Sequence, residues 1–454
     1  MSQKQQKPNA VSRREFLKRA AALGVGLPAI GGILAACGGG AQPAAQAPAS
    51  SGEQAAAPVT ADAVELQFWD MVWGPPEYID TCKKVVEQFN QQNSDIKVTY
   101  QSNPWSSWPQ VFTTAVGSGT APDLSTGGGY QAIQFYPDGA ILELDDVVAE
   151  FKPEDFAPGH LDALKYEGHY VGLPWGIDIR IPYYRKDLFE AAGVTAPTNW
   201  DELREVLKAL TTGDQYGFAF AGNSPIGWQQ LFAFMFNNDG GLFAESGELD
   251  VLNDRNVEAL TFVSELIKDG VVHPGSAGFS DADLLKAFSG GGAAMMIFAP
   301  GAEDRVPEVK EQVELLAPMT GPHGDKGTLA FGNNLMVYSQ TEHSEETKTF
   351  LKWWSANSLP IWTEGHCGNL PARTSIAQDA YFQDNVFLKR ILDEWVPVSS
   401  LTGYKAPGTF PALADIDAGG MLNTMATDIF QGKDVVETLQ KLESTLKSLK
   451  TLQQ

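Results

Sequence analysis

Flat aromatic rings and polar side chains recur at short spacing early in the chain: Trp69, Asp70 and Trp73, then Asn103, Trp105 and Trp108, then Tyr130 directly after Gly127-Gly128-Gly129. The combination has a chemical meaning. An aromatic face stacks on the apolar C–H surface of a ring-shaped solute, while carboxylates and amides exchange hydrogen bonds with its hydroxyls. Such residues bind a polar solute; they do not by themselves break bonds. With 11 tryptophans in 454 residues, any single one can be an ordinary half-buried aromatic, but clustering beyond three expected strands points to a shared surface.

Motifs of bond-breaking chemistry are missing from the sequence. No G-x-S-x-G or H-E-x-x-H run occurs, which removes the commonest sequence-readable hydrolases. His160, His169, His273, His323, His343 and His366 lack metal-ligand spacing, so neither a metal nor a cofactor is expected. A glycosidase carboxylate pair stays open as a rival, because folding rather than spacing brings such partners together.

The elements that would carry these groups read as α/β. Residues 64–68 alternate apolar and polar and predict a strand. Residues 77–91 predict a helix, 96–101 a strand, 106–117 a helix, and 121–125 a strand running into the glycines. This β-α-β-α-β order implies a mostly parallel sheet with helices on its faces, and ligands of such sheets sit beyond the carboxyl ends of the strands. A second series follows Pro174. Asn199, with Glu202 three residues on, predicts the start of a helix whose apolar face is Trp200, Leu203, Leu207 and Leu210. Residues 216–221, 294–298 and 334–339 read as strands and 257–268, 281–289 and 344–354 as helices, with Trp353 and Trp354 assigned to helix packing. Residues 412–452 read as a helical end.

Ahead of this body, Ser12-Arg13-Arg14-Glu15-Phe16-Leu17-Lys18 leads into an apolar run that ends at Leu34-Ala35-Ala36-Cys37. The run is diluted by glycine and proline and falls short of the about 20 residues that span a bilayer, so residues 1–36 read as a secretion signal. Arg13-Arg14 with Phe16-Leu17-Lys18 resembles the twin-arginine export signal, and Leu34-Ala35-Ala36-Cys37 resembles the bacterial lipobox. That likeness implies cleavage before Cys37, lipid on its sulfur, and anchorage at the extracytoplasmic side of the cell membrane, in a periplasm or on the outer face. Residues 37–61 are almost entirely Gly, Ala, Gln, Pro and Ser, the composition of a flexible tether.

The chain carries 56 acidic against 32 basic residues, and the signal segment is itself basic, so the mature body is strongly acidic. That balance argues against nucleic acid as a partner, and a monomer is expected. Cys82 shares a helical face with Val85, Val86 and Phe89. Two readings therefore stand for Cys82 and Cys367, a disulfide or two core thiols.

Four segments carry a family likeness. They are Val116-Gly117-Ser118-Gly119-Thr120-Ala121-Pro122-Asp123; Tyr170-Val171-Gly172-Leu173-Pro174 with Tyr184-Arg185-Lys186-Asp187-Leu188-Phe189 and Trp200-Asp201-Glu202-Leu203; Phe288-Ser289-Gly290 with Ala293-Ala294-Met295; and Gly368-Asn369-Leu370-Pro371-Ala372-Arg373. Together they resemble the bacterial extracellular solute-binding proteins of family 1, the maltose-binding-protein-like group. Gly291 departs from the lysine common in the third segment, which loosens a surface turn.

The resemblance implies an α/β, type II two-lobed fold, each lobe a mostly parallel sheet flanked by helices. Lobe 1 would be 62–175 with 331–376 and lobe 2 would be 179–328 with 382–454, joined by crossovers at 175–179, 328–332 and 376–382. It also implies the substrate-binding component of an ABC importer, which closes on a small polar solute such as a sugar or oligosaccharide and passes it to the importer's transmembrane subunits. The rivals are a secreted lipoprotein glycoside hydrolase and a non-transport sugar chemoreceptor. By the same likeness Asp178 faces the ligand from a crossover, Trp228, Gly301 and Glu303 line the cleft from the second lobe, and Asn333 and Arg373 add polar contacts. Gly301 stands where relatives often carry an aromatic, which implies either a wider site or one that binds through backbone. These join Trp69, Asp70, Trp73, Asn103, Trp105 and Tyr130 as the expected ligand-binding set.

Overall fold

A parallel β-α-β start is what the alternating pattern at the beginning of the body demands, and the computed structural model contains it. It describes residues 63–105, 107–418 and 420–452; the signal, Cys37 and the tether lie outside the described residues. Strand β1 (Val64–Met71) pairs in parallel with β2 (Ile96–Asn103) over its whole length, Val64 opposite Ile96 and Met71 opposite Asn103. On its other edge it pairs with β3 (Leu124–Gly127). β1 runs three residues past its expected end because Asp70 finds donors inside the fold and Met71 is fully buried. β3 starts at Leu124 rather than Ala121: Pro122 has no N–H to give, and Asp123 exchanges hydrogen bonds with the Gln67 backbone.

A small hairpin, β4 (Lys165–Tyr166) and β5 (His169–Tyr170), precedes β6 (Leu173–Ile179), which continues through Arg180 into β7 (Ile181–Arg185). The remaining strands are β8 (Tyr216–Phe218), β9 (Ala293–Phe298), β10 (Val313–Leu315), β11 (Thr328–Val337), β12 (Leu370–Pro371) and β13 (Ser399–Ser400). They make two larger sheets. One has the order β12-β6-β11-β3-β1-β2, with β13 added to β11; the other has the order β10-β7-β9-β8. Pairing is parallel within the β-α-β units and antiparallel where β6, β7 and β11 return, so both sheets are mixed. β11 begins six residues before its expected start. Gly332, Asn333 and Asn334 are poor strand formers, yet β6 and β3 hold the strand from both sides, with an irregularity between Asn333 and Asn334.

Helices cover the sheets with apolar stripes at the spacing the sequence shows. The helix Pro76–Gln92 buries Tyr78, Cys82, Val85, Val86 and Phe89. Trp354, from the helix Ser344–Asn357, lies fully buried with its ring 4.8 Å from that of Phe68. In the helix Trp200–Leu210 the Asn199 side chain caps the Glu202 N–H, and Trp200, Leu203, Leu207 and Leu210 face inward. The second sheet has its own core of Ile181, Tyr183, Leu284, Phe288, Met296 and Phe298. The C-terminal end is several helices, not one: Ala412–Ala418, Met421–Phe430 and Val435–Lys447. The last two pack on helices Pro225–Asn237 and Asp254–Lys268, whereas Ala412–Ala418 meets Gln131–Phe135 beside the first sheet. Cys82 and Cys367 are free thiols, which removes the disulfide reading. Among the described residues no helix is long and apolar enough to cross a membrane.

Candidate functional site

β3 ends in Gly127-Gly128-Gly129, and large groups come down on that bare backbone. A Cβ on Gly127 would collide with the Met336 methyl and the Gln131 carboxamide. One on Gly128 would lie 3.3 Å from the Trp105 ring, and one on Gly129 would lie 3.3 Å from the Asp417 carboxylate. Gly129 also sits at φ +47°, a backbone region costly for residues with a side chain. Its N–H donates to Asn333 Oδ1 at 3.4 Å, and its carbonyl accepts from Asn334 at 2.8 Å. Next along, the buried Tyr130 hydroxyl accepts the Gly403 N–H at 3.3 Å, tying this loop to the segment after β13. Between them Gly129, Tyr130, Phe331, Gly332, Leu401 and Thr402 enclose a cavity with room for about one water molecule.

From Trp105 a row of indoles runs inward. Its ring lies edge-on to Trp73 at 4.8 Å, Trp73 lies 5.0 Å from Trp175, and Trp175 stacks on Trp362 at 6.0 Å. Trp105 is 40% exposed while the other three are buried, so the row presents one open face. Asp70 is not on that face. It is fully buried, and its carboxylate accepts from Thr126 (2.5 Å), Tyr78 (2.8 Å), Tyr100 (2.9 Å) and Trp73 Nε1 (3.1 Å). Burial pushes its pKa up to about 6 against the pull of those bonds. The expected ligand contact thus stands buried behind Trp73. Asn103 is buried with it, donating to the Asp70 carbonyl at 3.4 Å, and Trp69 lies against Phe112, so both stand among packing contacts.

The neighbouring wall is made by β6 and β11. Asp178, 23% exposed at its side chain, is held by both arms of Arg180 at 2.6 and 2.8 Å, and Arg180 donates on to Gln229 at 2.6 Å. The guanidinium lies 5.4 Å over Phe331, which meets the buried Trp228 edge-on at 5.8 Å. Asn333 stands opposite Gly176 in register, and a Cβ on Gly176 would come within 3.4 Å of Asn369 Nδ2. The absent side chain leaves two carboxamides flanking one strand position. The Nδ2 groups of Asn333 and Asn369 and the Nε1 of Trp175 are buried donors without a hydrogen-bond partner.

A third side follows β9. Gly301 turns at φ +73° with open space where a Cβ would be. Glu303, 6% exposed, has one carboxylate oxygen without a partner, and burial raises its pKa to about 7. Arg305 reaches across to Gly368, next to Asn369. Arg373 lies elsewhere: its guanidinium binds Asp155 at 2.5 and 2.8 Å and the Ser355 carbonyl at 3.1 Å, over the Phe151 ring. These contacts hold it in an ion pair with Asp155.

The fold therefore gathers Trp73, Trp105, Tyr130 and Asn333 around the glycine turn, with Asp178 opposite Phe331 on the adjoining strand; Glu303 stands two residues before Arg305, which reaches Gly368. The fold adds Trp175, Asn369, Thr402 and Asp417, which sequence reasoning missed. Asn369 lay inside a segment used only as a fold signature. Asp417 lies in a helix with no motif around it.

Residues 75–358 match the model of a family described as bacterial extracellular solute-binding protein. A sugar transporter from Arthrobacter chlorophenolicus A6, whose crystal structure holds bound laminaribiose, is 35% identical with a TM-score of 0.78, over 85% of this chain and 99% of that one. The mannitol-binding protein of Pseudomonas aeruginosa is 27% identical over 333 residues, 68% of this chain and 75% of its own length. Maltose-bound MalE3 of T. maritima shares the fold at 22% identity and a TM-score of 0.72, over 85% of this chain and 99% of that one.

Proposed function

The chain belongs to the bacterial extracellular solute-binding protein family, and on that premise we propose that it is the substrate-binding component of an ABC importer, holding a sugar or oligosaccharide between two lobes. One observation carries the reading. Three buried donors, on Trp175, Asn333 and Asn369, lack protein partners beside an indole row whose outer ring is open. A buried donor left unpaired costs about 1–3 kcal/mol, and a sugar hydroxyl removes that cost while its C–H face covers Trp105.

The lobes in this reading are residues 62–175 with 331–376 and 179–328 with 382–454, hinging where β6 runs into β7 and where β11 begins. A ligand that touches both favours the closed arrangement by its differential affinity for the two states. Export through Arg13-Arg14, lipid on Cys37 and docking on the importer's transmembrane subunits complete the proposal. A thermal-shift screen against mono- and oligosaccharides, followed by calorimetry on the hits, tests it. A neutral sugar with a Kd of about 10⁻⁶ M or tighter, recovered intact after incubation, is the expected result. Sugar cleavage, or binding only of non-carbohydrate solutes, contradicts it.

A further inference from the structure

The polar groups that the site leaves unpaired are divided unevenly by charge. The donors, on Trp175, Asn333 and Asn369, are all neutral, whereas the unpaired acceptors include carboxylate oxygens of Glu303 and Asp417. Resting on the carbohydrate reading above, we propose that Glu303 and Asp417 are specificity-determining residues that admit neutral or amine-bearing sugars and exclude uronates and phosphorylated sugars.

Asp417 stands at one end of a row of contacts, and the turn that carries Glu303 reaches the other end through Arg305. Asp417 lies over Gly129; Gly129 donates to Asn333; Asn333 faces Gly176 across β11 and β6. Gly176 abuts Asn369, and Arg305, two residues beyond Glu303, reaches Gly368. A solute hydrogen-bonded to the Asn333 and Asn369 amides therefore has Asp417 on the Gly129 flank and the turn that carries Glu303 on the Asn369 flank.

The cations nearby are already engaged or wet. Arg180 is chelated by Asp178, and Lys310 binds Asp304 at 2.5 Å. Arg305 is solvent-exposed and lies 5.5 Å over the Phe298 ring, where water screens its charge. A ligand carboxylate or phosphate would meet neutral donors and the buried oxygens of Glu303 and Asp417, where like-charge repulsion is poorly screened. A hydroxyl or ammonium donates to those same oxygens and stabilises their ionised forms. Burial raises both acids to about 7; the Lys310 charge pulls Glu303 and the Thr402 hydroxyl pulls Asp417 only partly back.

The test is a calorimetric titration of the full chain. Neutral glucose disaccharides of each linkage are measured first, then the C2-amine and C6-carboxylate analogues of the tightest binder. The carboxylate analogue is expected to bind at least 100-fold more weakly than its parent and the amine at least as tightly. Glu303→Gln and Asp417→Asn should each narrow the gap between parent and carboxylate at least tenfold, and the wild-type comparison needs no variant to fold. A carboxylate analogue within threefold of its parent, or a gap unchanged in both variants, overturns the inference and leaves the carbohydrate reading standing. No binding by any neutral disaccharide overturns that reading and this inference with it.

Discussion

The indole N–H of Trp73 donates to the buried Asp70 carboxylate at 3.1 Å, so the ring that bridges Trp105 and Trp175 is aimed by an anion behind it. Asp70→Ala strips one acceptor from Thr126, Tyr78, Tyr100 and Trp73 together. The expected cost is roughly 2–4 kcal/mol by chemical denaturation, with sugar affinity lowered as Trp73 loses its anchor. A loss under about 0.5 kcal/mol would show that water replaces the carboxylate freely.

Substitutions in the triple glycine should separate stability from binding. Gly127→Ala forces a methyl group into Met336 and Gln131 and is expected to cost about 1–3 kcal/mol in unfolding experiments. Gly128→Ala presses only on the Trp105 ring, and should weaken sugar binding about tenfold while shifting the melting curve little. Equal effects of the two on melting would contradict this division.

Arg373→Ala breaks the ion pair with Asp155, a pair that is largely buried on both sides. Removing one partner leaves the other unpaired, so a stability loss of about 2–4 kcal/mol is expected with sugar affinity within threefold of wild type. A large affinity loss without destabilisation would return Arg373 to the ligand contacts.

How far the sequence reached can be followed along particular residues. The β1-helix-β2 start was legible because Cys82, Val85, Val86 and Phe89 keep helical spacing and residues 64–68 alternate. Trp73, Trp105 and Tyr130 were legible as a cluster because each follows a strand. Asp70 was not, since its role depends on Tyr78, Tyr100 and Thr126 converging on it from three elements. Arg373 sat in a recognisable segment, but its partner Asp155 is more than 200 residues away. Trp175, Asn369 and Asp417 meet only through the sheet register and the glycine turn, which spacing does not encode.

Acid titration gives a check with a definite sign. Glu303 and Asp417 titrate near 7 when folded and near 4 when unfolded, so the folded chain keeps protons that the unfolded chain releases. Stability from these groups is present at low pH and falls as pH rises from about 4 to 7. His160, which burial pushes down to about 4, acts oppositely but is common to both proteins compared. The double variant E303Q/D417N, lacking the buried charges, should exceed wild type in stability by at least about 1 kcal/mol more at pH 8 than at pH 5. A difference constant across that range would contradict the burial of both acids.

The most direct measurement is a crystal structure of the chain with its tightest-binding oligosaccharide. The expected result is a sugar ring stacked on Trp105, hydrogen-bonded to the side-chain amides of Asn333 and Asn369, and in contact with residues of both proposed lobes. A sugar bound away from the Gly127–Gly129 turn, or touching one lobe alone, would contradict it.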